Sequence, residues 1–219
     1  MRLVLGDINQ AAKIVADAIN ESLEGGPVLL LVSGGSNVEL ATSVRVQITL
    51  KNSLAVGLTD ERYGPPGHTD SNWKSLLRSG FDTNNIHLLP VLTGKSLEET
   101  ARQYDQKLRE TMKNSKLIGL FGMGSDGHTS GVLPNSPAVN SQDLVTSYSA
   151  ADFQRITTTP ASFRFFDIAV LAARGGGKRD QLQRLANQAV PVDEQPAQAL
   201  KQAKQLIVIN DQIGERQAV

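Results

Sequence analysis

Short apolar runs alternate with longer amphipathic stretches along this chain, and this alternation limits the fold more than any other feature. Val28–Val32 is apolar at every position, as expected of a strand that helices cover on both faces of its sheet. Between such runs, apolar residues recur at the three- and four-residue spacing of a helix. The alternation predicts a three-layer α/β fold, in which helices flank a mostly parallel, modified Rossmann-like sheet.

The same patterns predict individual elements. Strands are predicted at residues 3–5, 28–32, 54–58, 86–89, 117–121, 144–147, 156–159, 167–172 and 206–209, and helices after Asp7, at 37–50, from about 71, and at 96–112, 179–188 and 196–204. Asp7 is the predicted N-cap of the first helix, and Glu99, three residues after Ser96, predicts a capping box. The threonine-rich residues 157–159 are also a candidate for an antiparallel flap. Because no repeat or linker is found, residues 1–219 are expected to form one domain.

The composition excludes several classes of protein. Lys and Arg together number 22, as do Asp and Glu, and aromatic residues make up 5%, so neither the basic excess nor the aromatic platform of a nucleic-acid-binding protein is present. The absence of cysteine excludes disulfides and thiolate sites, and no apolar run reaches the roughly 20 residues of a membrane span. We expect a soluble, cytoplasmic protein without nucleic-acid or membrane partners, which acts as a monomer; weak self-association is the alternative.

Polar residues and glycines follow four of the predicted strands. In an open parallel sheet, ligands bind beyond the carboxyl ends of the strands, so these segments are expected to meet at one edge of the sheet. They are Ser33-Gly34-Gly35-Ser36, Asp60-Glu61-Arg62, the loop at 122–128 and the segment at 174–178. The sequence therefore predicts an active site at this edge.

Two of these segments are suited to bind a phosphate. In Ser33-Gly34-Gly35-Ser36, the glycines allow successive N–H groups to point at one anion at a helix N-terminus; an ordinary turn with a serine N-cap is the alternative. Lys178 follows three glycines at a predicted helix start, so its ammonium is expected to reach the same anion. A Walker A loop is excluded, because it needs glycine at Ala172 and serine or threonine at Arg179.

The loop at 122–128 has the spacing Gly122-x-Gly124-x-x-Gly127 of a dinucleotide-binding turn. Prolines at 134 and 137 interrupt the helix that such a turn must open, so we interpret the match as fortuitous. Asp126 and His128 have a spacing at which a carboxylate orients an imidazole and raises its basicity. A structural histidine that caps the loop is the alternative. No metal site is expected, because the other histidines lack ligand spacing with His128.

Three other features are predicted to have structural roles rather than catalytic or binding roles. His68, in a segment of prolines and glycines, is assigned to a lid or rim. His87 is predicted to lie in a strand as a hydrogen-bonded structural histidine. The aromatic residues of 163–166 are expected to pack beside the sheet rather than to stack on nucleic-acid bases.

Together, these motifs resemble those of the 6-phosphogluconolactonase family, in the superfamily that includes glucosamine-6-phosphate isomerase. They follow the order of that family: Ser33-Gly34-Gly35-Ser36, Asp60-Glu61-Arg62 with Asp70-Ser71-Asn72, Gly122-Met123-Gly124-x-Asp126-Gly127-His128-Thr129, Arg155-x-Thr157 and Gly177-Lys178. The resemblance implies a cytoplasmic esterase of the pentose phosphate pathway, which needs no metal or cofactor. Its substrate would be the sugar-phosphate lactone 6-phospho-D-glucono-1,5-lactone, and its product 6-phosphogluconate.

The resemblance also implies roles for individual residues. The catalytic set is His128 as general base and then acid, Asp126 as its orienting group, and Arg62 as a contact to the oxyanion or a hydroxyl. The substrate-binding set holds the phosphate and the sugar hydroxyls, with Asp60 assigned to the hydroxyls; its phosphate-binding members are Ser33, Gly34, Gly35, Ser36, Arg155 and Lys178.

Two alternatives to this function stay open. A deaminase or isomerase acting on an amino-sugar phosphate is disfavoured, because its pattern has a glutamate where this chain has Leu133, which transfers no proton. A non-enzymatic sugar-phosphate sensor is disfavoured by the presence of both Asp126 and His128. Residues 131–133 and 160–166 depart from the family pattern and leave the shape of the lactone pocket open.

Overall fold

A computed structural model describes residues 1–214 and contains two sheets. The strands are β1 (Arg2–Leu5), β2 (Val28–Val32), β3 (Leu54–Leu58), β4 (Asp60–Arg62), β5 (His87–Leu88), β6 (Lys116–Phe121), β7 (Val145–Ser149), β8 (Gln154–Thr158), β9 (Ile168–Ala173) and β10 (Gln205–Asn210). The α-helices are α1 (Ile8–Gly25), α2 (Asn37–Arg45), α3 (Asn72–Arg78), α4 (Leu97–Met112) and α5 (Arg179–Asn187), and short 3₁₀ helices span Pro137–Asn140, Pro160–Phe165, Gly176–Lys178 and Pro196–Gln202.

The larger sheet has seven strands in the order β1-β10-β9-β6-β2-β3-β5, and every neighbouring pair runs parallel. The predicted α/β fold, with helices flanking a mostly parallel sheet, is confirmed. The chain passes from β2 to β3 on one side and returns to β6 on the other, so the strand order changes direction between β2 and β6. Ligands bind at such a switch point in open α/β sheets.

The core of the sheet is apolar on both faces, as the sequence predicted. Every residue of β2 and β3 is buried. Phe121 packs edge to face against Phe163 and Phe166, and the ring centroids of the three are 5.1–6.1 Å apart. The predicted packing beside the sheet is confirmed for Phe163 and Phe166, whereas Phe165 is exposed. Among residues 1–214, no helix is long and apolar enough to cross a membrane.

Two predicted N-caps are present, but one of them lacks half of its predicted capping box. Asp7 caps α1, because its Oδ1 accepts a hydrogen bond of 2.8 Å from Gln10 N. Ser96 caps α4 by accepting from Glu99 N at 3.3 Å. The Glu99 carboxylate binds the Arg102 guanidinium instead of returning to the Ser96 N–H. The predicted capping box is therefore only half formed.

Other predictions of local structure are wrong. Helix α2 ends at Arg45 rather than near residue 50, where a run of β-branched residues lowers helix propensity. The helix predicted at 196–204 is a 3₁₀ helix over Pro196–Gln202. Strand β5 has only two residues, and His87 is exposed at the edge of the sheet, with no side-chain hydrogen bond within residues 1–214, so it is not a hydrogen-bonded structural histidine.

The smaller sheet is antiparallel and has the order β4-β8-β7. Strand β4 follows β3 after the single residue Thr59 and pairs with β8, so that Asp60 lies opposite Thr157 and Arg62 opposite Arg155. The antiparallel flap suggested by residues 157–159 is therefore present. It carries Asp60 and Arg62 over the carboxyl edge of the larger sheet.

Candidate active site

A cleft of about 250 Å³ lies at the carboxyl ends of β2, β3 and β6. Most of the predicted site residues line it. Its lining consists of Ser33, Gly34, Gly35, Ser36, Asp60, Arg62, Asn72, Gly122, Met123, Gly124, His128, Ser130, Gly131 and Lys178. Asp126 lies behind His128 as its hydrogen-bond partner, and Arg155 is outside the lining.

The Asp126 carboxylate holds the His128 ring in one orientation. Its Oδ1 lies 2.7 Å from the ring Nδ1 and also accepts from the His128 backbone N–H at 3.1 Å. The hydrogen bond from His128 lowers the pKa of Asp126 to about 2, so the carboxylate is ionised at neutral pH and only accepts. Nδ1 must then carry the proton, which leaves the lone pair of Nε2 as the basic site of the ring.

Gly124 makes this arrangement sterically feasible. The loop turns back on itself, with Gly127 N donating to Gly124 O at 3.1 Å and Gly124 N donating to His128 O at 2.9 Å. A Cβ on Gly124 would lie 2.2 Å from His128 Nδ1 and 2.5 Å from Asp126 Oδ1. The side chains of Asp126 and His128 therefore pack directly against the Gly124 α-carbon, where no side chain fits. No helix follows β6 directly, as expected if the dinucleotide spacing is fortuitous.

Three backbone N–H groups and one ammonium form an anion cradle at the start of α2. Among residues 1–214, the N–H groups of Gly34, Gly35 and Ser36 have no hydrogen-bond acceptor. Lys178 lines the same cleft; burial lowers the pKa of its ammonium, and Asp211 opposes this effect. Free N–H groups at a helix N-terminus, beside a cation, bind phosphate or carboxylate.

Ser33 was also predicted to bind the phosphate, but it is not part of this cradle. Its N–H donates within the sheet to Leu120 O at 2.9 Å. Its hydroxyl lies 2.9 Å from Thr59 Oγ1, which donates its own hydrogen to Asp60 Oδ1 at 3.0 Å. Because a hydroxyl has one hydrogen, Ser33 Oγ must donate to Thr59. Both donors of Ser33 are thus occupied, and its side chain orients Asp60 through Thr59.

The Asp60 carboxylate is fixed from a second side by Asn72. The Asn72 amide donates to Asp60 Oδ2 at 3.2 Å and to the Asp60 carbonyl at 3.0 Å. Asn72 lines the cleft but received no role from sequence reasoning. Its position at the predicted start of α3, within the Asp-Ser-Asn motif, was the available signal.

Glu61 is a buried anchor beneath the cleft that sequence reasoning also missed. It is 1% exposed, and its carboxylate accepts from Arg62 N, Ser71 Oγ, Asn72 N and Trp73 N at 2.6–3.0 Å. Burial raises the pKa of Glu61, and these four donors oppose the rise. All four partners donate, so the ionised form fits this position. Glu61 thereby ties β4 to the N-terminus of α3.

The two arginines of the predicted site both lie close to the Phe153 ring. The Arg62 guanidinium carbon is 5.3 Å from the Phe153 ring centroid, and that of Arg155 is 5.7 Å away. Arg62 donates to Asp70 O at 3.0 Å and reaches the cleft. Arg155 instead binds the Asp152 carboxylate at 2.6 Å. This placement gives the predicted phosphate contact of Arg155 no support.

His68 lies at the rim, as the sequence suggested. Its Nε2 is 2.9 Å from the Arg62 carbonyl oxygen, and its side chain is not part of the cleft lining. Among residues 1–214, no three His, Asp or Glu side chains cluster as a metal site requires. The cleft therefore combines an oriented imidazole with an anion cradle and a fixed carboxylate.

Comparison with known proteins places the chain in a family. Residues 7–209 match the family model described as glucosamine-6-phosphate isomerases/6-phosphogluconolactonase. The chain belongs to this family. The match covers all three strand ends that form the cleft, and it confirms the resemblance inferred from the motifs.

Individual family members are moderately similar in sequence. A 6-phosphogluconolactonase of Nostoc sp. is 30% identical over 173 residues, which is 72% of this chain and 70% of that protein. The 6-phosphogluconolactonase of Neisseria meningitidis serogroup A is 28% identical over 207 residues, covering 84% and 88%. That of Pseudomonas aeruginosa is 33% identical, but the match spans only 59% of this chain and 56% of that protein.

Solved structures confirm the fold. The crystal structure of a 6-phosphogluconolactonase from Shewanella baltica OS155 superposes with a TM-score of 0.78 at 22% identity, covering 96% of this chain and 97% of that chain. The 6-phosphogluconolactonase from Trypanosoma cruzi gives a TM-score of 0.79 at 18% identity, covering 100% and 97%.

Proposed function

We propose that this chain is a lactone hydrolase that converts 6-phospho-D-glucono-1,5-lactone to 6-phospho-D-gluconate in the oxidative pentose phosphate pathway. One observation carries the proposal: His128, which Asp126 orients, lines the same cleft as the anion cradle of Gly34 to Ser36. A base beside a phosphate site fits a phosphorylated ester that water must attack. The named relatives support the same activity.

His128 provides the acid–base chemistry. Its Nε2 removes a proton from water as the water oxygen attacks the lactone carbonyl carbon, C1. The tetrahedral intermediate then collapses and the bond between C1 and the ring oxygen breaks, while the imidazolium returns its proton to that oxygen. Asp126 stabilises the imidazolium through Nδ1–H. Such assistance contributes about 10²–10⁴ in rate, and water is the only second reactant.

The remaining cleft residues bind and orient the substrate. We assign the phosphate to the N–H groups of Gly34, Gly35 and Ser36 with the Lys178 ammonium, because within residues 1–214 these N–H groups have no acceptor and all four residues line one cleft. Asp60 accepts from sugar hydroxyls, with Ser33 supporting it through Thr59. Arg62 contacts either the carbonyl oxygen or a hydroxyl of the lactone. Arg155 supports Arg62 through Phe153 rather than binding the phosphate.

A coupled assay tests this function. Glucose-6-phosphate dehydrogenase generates the lactone in place, and 6-phosphogluconate dehydrogenase reports the product as a second equivalent of NADPH. Added protein is expected to raise the second phase well above spontaneous hydrolysis. No gain over background would refute the proposal; release of ammonia from glucosamine 6-phosphate would then indicate the deaminase, and binding without turnover would indicate a sensor.

The finer organisation of the protein is also a proposal. We infer one domain over residues 1–219, supported by a hydrophobic core that includes residues from Val4 to Ile209. We further propose a monomer in the cytoplasm, since the balanced charge and short apolar runs give no reason for a membrane or nucleic-acid partner. Light scattering coupled to size exclusion distinguishes a monomer from weak self-association.

A further inference from the structure

A tight turn with an unusual backbone forms one wall of the cleft. Residues 129–132 make a four-residue turn that is closed by a hydrogen bond of 2.8 Å from Val132 N to Thr129 O. Its central residues have positive φ, +54° at Ser130 and +69° at Gly131, which defines a type I′ turn. Serine seldom adopts this conformation, and residues in sparsely populated backbone regions cluster at functional sites.

The surrounding protein holds this turn by its oxygen atoms. The Ser130 carbonyl accepts from the Thr157 hydroxyl, and the Gly131 carbonyl accepts from Tyr148 Oη at 2.6 Å. The Ser130 hydroxyl is 2.6 Å from Thr158 Oγ1. The antiparallel flap therefore fixes the conformation of the turn.

Unlike these oxygen atoms, the N–H groups of the two central turn residues make no hydrogen bond within residues 1–214. Within residues 1–214, neither the Ser130 N–H nor the Gly131 N–H has a hydrogen-bond acceptor, although both residues are buried and line the cleft. Buried N–H groups are almost always paired. Because a peptide bond is planar and trans, the Gly131 N–H points opposite to the Ser130 carbonyl, which faces Thr157.

The position of the turn places these donors near the chemistry. The turn begins directly after His128, and a Cβ on Gly131 would lie 2.9 Å from Asp60 Cβ and Oδ2. The turn therefore packs directly against the Asp60 side chain, and no side chain fits at position 131. Preorganised N–H groups next to a general base are the usual means of stabilising a tetrahedral oxyanion.

We infer that the N–H groups of Ser130 and Gly131 form the oxyanion site of this enzyme. The inference rests on the proposed lactone hydrolysis. As the water oxygen bonds to C1, the carbonyl electron pair moves onto the carbonyl oxygen, which the two N–H groups stabilise. The pair returns as the bond from C1 to the ring oxygen breaks, and that oxygen takes the proton from His128. Arg62 then remains free for the sugar hydroxyls.

Replacing one amide by an ester tests this role without changing a side chain. Incorporation of glycolic acid at Gly131 converts its N–H to an oxygen atom. We expect kcat to fall about 10²–10³-fold, the usual loss of one oxyanion donor, with KM for the lactone and Kd for 6-phosphogluconate within about threefold of wild type. The matched control is the same ester at Gly94, in an exposed turn with φ of +77°, which should leave kcat unchanged.

The outcomes distinguish a wrong oxyanion assignment from a wrong proposed function. A Gly131 ester with wild-type kcat would overturn the oxyanion assignment. So would a parallel loss of kcat and of affinity for 6-phosphogluconate, because the turn would then only shape the cleft. Wild-type protein that fails to hydrolyse the lactone would instead refute the proposed function itself.

Discussion

Tyr104→Phe is expected to destabilise the end of β3, which leads through Thr59 to the cleft residue Asp60. The Tyr104 hydroxyl is fully buried; it donates to Leu58 O at 2.7 Å and accepts from Leu58 N at 2.8 Å. It replaces a neighbouring strand there, because within residues 1–214 β5 pairs with β3 at Ala55 and Val56 and ends before Leu58. Burial raises the pKa of Tyr104, so the hydroxyl stays protonated and keeps both bonds.

The magnitude follows from the two backbone groups that phenylalanine leaves unpaired. Each buried unsatisfied group costs about 1–3 kcal/mol, and with some relaxation the pair costs about 2–4 kcal/mol. For a chain of this size, Tm should fall by about 5–15 °C. Urea unfolding followed by circular dichroism measures the free energy. The control is Tyr63→Phe, which removes an exposed hydrogen bond to Lys95 O and should cost less than about 0.5 kcal/mol. Equal effects of the two variants would refute the reasoning.

Three further variants test the site. Asp126→Asn should lower kcat about 10²–10⁴-fold in the coupled assay, because an amide no longer fixes the His128 tautomer. The same variant should have a lower Tm than wild type. Because folding lowers the pKa of Asp126 from 3.8 to about 2, this Tm difference should be full above pH 3.8 and vanish as pH falls through about 2. Gly124→Ala places a Cβ 2.2 Å from His128 Nδ1 and should lower kcat more than it changes KM; an unchanged kcat contradicts the geometry. Lys178→Ala should raise KM about tenfold or more by removing one charged phosphate contact, and a loss confined to kcat would contradict that role.

Local patterns were sufficient to predict the larger sheet. Strands such as Val28–Val32 are apolar throughout because helices cover both faces, and this signal lies within a few residues. The gathering of Gly34, Asp60 and His128 at one edge followed from parallel strands alone. The Asp126–His128 hydrogen bond was also foreseeable, because it joins residues two apart.

Features that depend on distant contacts were not predictable. Asp60, Glu61 and Arg62 form a strand only because β8, far along the chain, pairs with them. The same pairing sets Arg155 beside Phe153 and outside the cleft lining. Sequence reasoning had expected Arg155 to contact the phosphate instead. Sequence reasoning gave Glu61 no role, because three of its four donors come from the N-terminus of α3, which folding brings beside β4.

The most direct test of the central claim is kcat/KM for lactone hydrolysis by His128→Ala, compared with His87→Ala. His128 faces the cleft and is held by Asp126, whereas His87 is exposed on the edge strand β5. We expect His128→Ala to lose about 10²–10⁴ in kcat/KM and His87→Ala to match wild type. Wild-type kcat/KM in His128→Ala would contradict the account, because the cleft would then bind the lactone without this base.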